Sequence, residues 1–181
     1  MAWNRMFGKK KKKEEFDPLQ DLVLSKLNVG YILDYDMKTW EVTEYNKYDW
    51  DDGEYSYEWE LTSGNEVVYL ELEDDDEPEW VMTNKFSFKS LGRGLHKHIR
   101  ENDDPPNEIE YEGVTYCLDE GGGGYFCKGG GEQKIEFLYW DYYDKSEEKT
   151  LTIEQWGEDK FEASVGNYVE EYQFTNILPG S

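Results

Sequence analysis

Apolar positions along this chain recur mainly at every second residue, the period of a half-buried strand. The segments "VGYILDYD", "TWEVTEYNKY", "YSYEWELTS", "EVVYLELED" and "EWVMT" are short and rich in aromatic and β-branched residues. "DDG" and "TSGNE" between them carry turn chemistry. After the breaker "DDPPN" the same texture returns in "EIEYE", "VTYCLDE", "GYFCK", "QKIEFLYWDYYD", "KTLTIEQW", "KFEAS" and "VEEYQFTNIL". Helical spacing is confined to two stretches. In residues 17–27 Asp17 is placed to cap, Pro18 to open the first turn, and Leu19, Leu22, Val23 and Leu27 share a face. A second short helix is predicted within residues 90–102. The glycine-rich run at 121–131 is expected to form flexible loops around the short strand "YFCK".

The pattern repeats. Residues 34–42 align without gaps on 110–118, placing Tyr35 on Tyr111, Thr39 on Thr115, Trp40 on Tyr116 and Val42 on Leu118. Further along, Leu70, Leu72, Glu73 and Trp80 fall on Leu151, Ile153, Glu154 and Phe161. Two matches in the same order point to a duplication. The predicted fold is mainly β: two tandem, internally duplicated antiparallel β-sheet lobes, sandwich- or barrel-like, with one or two short helices. Each lobe has one apolar face, and packing the lobes together is expected to bury both faces. The organisation expected is a basic segment at 1–16, a helix and first lobe at 17–89, a linker with a short helix at 90–106 and a second lobe at 107–181.

Composition sharpens this picture. The chain has 181 residues, enough for a real core, and 17% of them are aromatic, so the strong charge does not signal disorder. Its formal net charge is −23, although six of the 19 basic residues lie within the first 13 positions. So acidic a body repels nucleic acid and attracts basic proteins, polyamines or other cations. No stretch approaches the roughly 20 apolar residues of a membrane span, and no secretory h-region precedes the chain, so a cytoplasmic location is expected. In that setting Cys117 and Cys127 read as thiols rather than a disulfide.

Catalytic chemistry is not legible. "GRG" and the glycine run lack the strand–loop–helix context of a phosphate loop, and two neighbouring histidines, His96 and His98, offer no triad and only a weak metal pattern. "HKH" with Arg100 reads as a basic cluster docking on the acidic body. "EDDDEPE" lacks the spacing of a calcium loop. The sequence therefore predicts a binding module rather than an enzyme, with no cofactor and no metal. One candidate cation-binding groove draws on acids and aromatics of the first lobe: Asp34, Asp36, Trp40, Tyr57 and Trp59.

The opening "MAWNRMFGKKKKKEEF" carries the other candidate. Trp3, Met6 and Phe7 share one face of a helical turn, and Lys9, Lys10, Lys11, Lys12 and Lys13 follow at once. Each lysine contributes about 1 kcal/mol beside an anionic leaflet. Short apolar insertion combined with a polybasic patch is the logic of reversible anchoring, so peripheral association with the inner membrane surface is expected.

From about residue 29 to 179 the sequence resembles a bacterial family of uncharacterised domains, domain of unknown function 4178. The likeness rests on "VGYILDYDMKTWEVTEYNKYDWDDGEYSYEWEL", "EVVYLELEDD", "EIEYEGVTYCLDEG" and the terminal "EEYQFTNILPG". The resemblance supplies no catalytic residues. It implies company with genes of polyamine metabolism, phage-shock-type membrane stress and small membrane proteins. A membrane-proximal accessory role, or an acidic surface that binds polyamine, would fit that company.

Overall fold

A computed structural model describes residues 22–51, 53–74 and 78–180. The tether candidates Trp3 to Lys13 lie outside the described residues. Among those described there are eleven strands and one α-helix. The first half holds β1 (Ile32–Tyr35), β2 (Lys38–Asp49), β3 (Tyr55–Ser63), β4 (Glu66–Glu73) and β5 (Glu79–Phe86). Then come α1 (Leu95–Asn102), β6 (Glu108–Tyr111), β7 (Val114–Lys128), β8 (Ile135–Asp144), β9 (Lys149–Gly157), β10 (Lys160–Val169) and β11 (Thr175–Leu178).

The duplication is visible in the turns. Tyr35 pairs with Lys38 across Asp36 and Met37, whose φ values are 47° and 60°. Tyr111 pairs with Val114 across Glu112 and Gly113, at 50° and 78°. Two consecutive left-handed residues make the tight hairpin whose twist matches the strands it joins. Farther along, the sheet register corrects the sequence alignment. Leu72 pairs with Trp80, but its counterpart Ile153 pairs with Ala163, and Phe161 lies opposite Gln155. The second half has slipped by one inward–outward repeat there.

Each half is an antiparallel meander, and the halves join edge to edge. The strand order is β11-β1-β2-β3-β4-β5-β10-β9-β8-β7-β6, and a further β2–β7 pairing closes eight strands, β2–β5 and β7–β10, into a barrel-like ring. One seam, β5–β10, runs over seven residue pairs from Ala163–Phe86 to Val169–Trp80. The other, β2–β7, has four, from Asn46–Lys128 to Asp49–Tyr125. The seams pair the long strands that two separate sheets would leave open, and the terminal strands among those described are the short β11 and β6.

Because side chains alternate across a strand, each ring strand serves two environments. The apolar set builds two clusters on the faces turned away from the ring. Trp40, Val42, Trp59, Leu61, Leu70, Leu72, Trp80 and Met82 form one, closed by Leu24, Leu27 and Phe174. Tyr116, Trp140, Tyr142, Leu151 and Ile153 form the other, capped by Leu95 and Ile99 of α1. The expectation that the two apolar faces meet each other is therefore reversed. The polar faces meet, and each apolar face is covered by local chain.

Two further expectations change. Only the second glycine block, Gly129 to Gly131, forms a loop, after β7; Gly121 to Gly124 lie in mid-strand, paired with β8. A Cβ on Gly121 would stand 2.7 Å from Trp140 Cδ1, and one on Gly124 2.8 Å from Trp50 Cε3, so the glycines admit close side chains. In the described part of the first helical stretch there is only a single 3-10 turn, Leu24–Lys26. Cys117 and Cys127 are both free thiols, Cys117 exposed and Cys127 buried, and both sit on β7. The basic cluster on α1 does meet the acidic body, with His96 Nε2 at 3.1 Å and Arg100 Nη1 at 3.7 Å from Asp159 Oδ1.

Candidate functional site: the polar cavity of the ring

All eight ring strands contribute side chains to one central cavity of about 130 Å³. Tyr48 comes from β2, Glu58 from β3, Glu71 from β4, Val81 and Lys85 from β5, Glu120 from β7, Asp141 from β8, Glu154 from β9 and Ser164 from β10. The strand alternation explains the acids. In "YEWEL" the residues Trp59 and Leu61 serve the first cluster, so Glu58 must point the other way. In "LELE" Leu70 and Leu72 do the same for Glu71, and in "LTIEQ" Leu151 and Ile153 do so for Glu154.

The carboxylates are held in place. Glu58 is buried, with 2% of its surface exposed. Its Oε1 accepts a hydrogen bond from Asn46 Nδ2 at 2.9 Å, and its Oε2 accepts one from the Tyr48 hydroxyl at 3.4 Å. Glu71 Oε1 accepts from Thr83 Oγ1 at 2.6 Å, and Asp141 Oδ1 accepts from Thr152 Oγ1 at the same distance. Lys85 Nζ lies 3.4 Å from Glu58 Oε2 and 3.9 Å from Glu162 Oε2, and 4.2 Å from the centre of the Tyr69 ring.

Burial dominates the electrostatics. It pushes the Glu71 carboxyl up to about 8, with Glu58 adding repulsion. It pushes Asp141 and Glu154 up to about 7 each. For Lys85 burial opposes the charge, but the surrounding acids, Glu58 first, outweigh it and hold the ammonium above the usual lysine range. Burial likewise keeps Tyr48 and Tyr143 as neutral phenols.

Aromatic rings complete the wall. Tyr48 stacks on Trp50 at 5.9 Å and meets Phe137 edge-on at 5.5 Å, while Trp50 meets Tyr139 at 5.0 Å. Trp50 Nε1 donates to Ser56 Oγ at 2.8 Å, which fixes the indole at the rim. A second hollow of about 310 Å³ adjoins the cavity there. It shares Trp50, Ser56, Glu73, Glu120, Tyr139 and Asp141 and adds Glu54 and Asp74. This vestibule gives the interior an acidic, aromatic approach.

Of the five residues singled out from sequence for a cation groove, only Tyr57 lines this cavity. Asp34 ties the hairpin to β11, its two oxygens accepting from Thr39 Oγ1 and Asn176 Nδ2, and those bonds hold its carboxyl below the ordinary value. Asp36 occupies the β1–β2 turn. Trp40 and Trp59 are buried in the first cluster, with their indole N–H groups donating to the Tyr35 and Leu27 carbonyls. Tyr57 packs against that cluster and also borders the cavity, next to Glu58. These five do not line a common groove. The acids of the cavity were missed, although one signal was present: Glu58, Glu71 and Asp141 are acids inside strands flanked on both sides by residues of the apolar clusters, and Glu154 directly follows Ile153 of the second cluster.

Among the described residues no helix is long and apolar enough to cross a membrane. No solved structure matches the chain. An uncharacterised protein of Aquifex aeolicus (strain VF5) is 27% identical over 175 residues, covering 97% of this chain and 95% of its own. The duplicated β-hairpins, the ring they close and the polar cavity all fall within residues 28–171, the span over which the chain belongs to the family described as Domain of unknown function (DUF4178).

Proposed function

We propose that the protein is a non-enzymatic accessory module that binds a small organic cation of the amine class, such as a polyamine, inside its ring. One observation carries this reading: the cavity is walled by Glu58, Glu71, Asp141 and Glu154, against Lys85 alone on the basic side among its lining residues. Carboxylates accept N–H donors, and the faces of Tyr48, Trp50 and Tyr139 favour a cation nearby. Among the described residues no three acidic, imidazole or thiol groups gather as a metal ion requires. Spread donors of this kind suit an extended cation with several N–H groups better than a point charge. The volume accommodates roughly six heavy atoms, a little below the scale of a cavity that holds benzene, and a longer amine would extend into the vestibule.

Calorimetry with putrescine and spermidine at low salt tests the reading. Saturable binding is expected, weakened by salt and at least tenfold weaker in the Glu71→Gln, Asp141→Asn double variant. No heat and no thermal stabilisation by either amine would remove it. The N-terminal segment adds a proposed tether, supported by the run Lys9 to Lys13 after Trp3, Met6 and Phe7. Co-sedimentation of the protein with anionic vesicles, lost on deleting the first 13 residues, is the outcome expected of it.

A further inference from the structure

The cavity brings like charges together in register. Glu58 lies directly opposite Glu71 across β3 and β4, both in the cavity wall, and Glu154 of that wall lies directly opposite the more exposed Glu162 across β9 and β10. Directly opposed like charges destabilise a sheet. Around Glu71 stand Glu58 from β3, Thr83 and Lys85 from β5, Glu154 from β9 and the phenol of Tyr48 from β2. Around Asp141 stand Thr152 from β9, Glu120 and Asp119 from β7 and Glu73 from β4. Around Glu154 stand Lys85, Glu58, Glu162 and Asp141. One ammonium cannot balance this set, so the empty cavity needs another source of positive charge.

Resting on the reading of the cavity as an amine site, we propose that the ring is a proton–cation exchanger: protons shared among Glu71, Asp141 and Glu154 fill the empty cavity, and an incoming ammonium group displaces them to solvent. The exchange balances simply. A carboxyl O–H breaks, its proton leaves through the vestibule to buffer, and the carboxylate left behind accepts an N–H of the already protonated amine. No electron moves and no co-reactant is needed. The neutral-range carboxyls described above supply the protons, and the Thr83 and Thr152 hydroxyls can rotate to donate to a carboxylate or accept from a carboxylic acid. Amine affinity should therefore rise with pH across the neutral range, about tenfold per pH unit for each proton released.

Two measurements on the full chain decide the matter. Carboxyl-carbon NMR without ligand, from about pH 5 to about pH 9, should show side chains titrating near neutrality. Glu71→Gln, Asp141→Asn and Glu154→Gln should each remove one. Calorimetry with putrescine at neutral pH, in buffers of different ionisation enthalpy, should show net proton release. Carboxyls that all titrate in the ordinary acidic range overturn the exchange whatever the amine does. Binding without proton release overturns the exchange and leaves the amine site standing. No amine binding removes the site, and the exchange with it.

Discussion

Glu71 concentrates the tension of this molecule in one side chain. Its carboxyl is raised from 4.5 to about 8 in the fold, chiefly by burial. The folded state therefore binds more protons than the unfolded one between those values. Stability from this group is complete at low pH and is lost as pH rises through the folded value. Asp141 and Glu154 act in the same sense up to about 7. Thermal melts of the ligand-free protein should show Tm falling as pH rises from about 6 to about 9. Glu71→Gln should flatten that slope and raise Tm at the alkaline end, since a neutral amide keeps the shape without the buried charge. A steeper slope in the variant would contradict the account. Beside it, Lys85 shows why the cluster is tolerated: its ammonium is held charged by the acids it serves.

At the scale of elements, the two seams are unequal, and Asn46 secures the shorter one. Its side-chain N–H donates to Glu58, and its Oδ1 accepts from the Gly129 amide just beyond β7. Asn46→Ala leaves a buried carboxylate oxygen and an amide short of partners, a loss of about 1–3 kcal/mol. Hydrogen exchange should show the amides of residues 46–49 and 125–128 opening first, ahead of the β5–β10 seam. The glycines of β7 work by a different route. Gly124→Val would drive a side chain into Trp50, cost about 1–3 kcal/mol through overpacking, shift the Trp emission and weaken amine binding at the rim. These elements also show what the sequence reveals. Period-two alternation in "YSYEWELTS" and "EVVYLELED" specifies strands and their apolar face, and the matched hairpins at residues 34–42 and 110–118 specify the repeat. Closure is not legible, because whether edges pair or faces pack depends on β2 meeting β7 across a wide gap in sequence. Without closure, Glu58 and Asp141 look like ordinary solvated strand acids, and a strand of glycines looks like a loop.

For the molecule as a whole, stability and ligand chemistry are written on opposite faces of the same strands. The apolar clusters lie outside the ring and are covered by α1, by the 3-10 turn at Leu24–Lys26 and by the segment at Phe174. The polar lining lies inside. Most proteins place the pocket at the end of a core, so that changing one disturbs the other. Here neighbouring residues answer to different demands: Leu70 to folding and Glu71 to whatever fills the ring, Ile153 to folding and Glu154 to the ring again. Selection can act on the two registers separately. A lineage can therefore exchange one guest for another by altering alternate letters of a strand, while the letters between them keep the architecture unchanged.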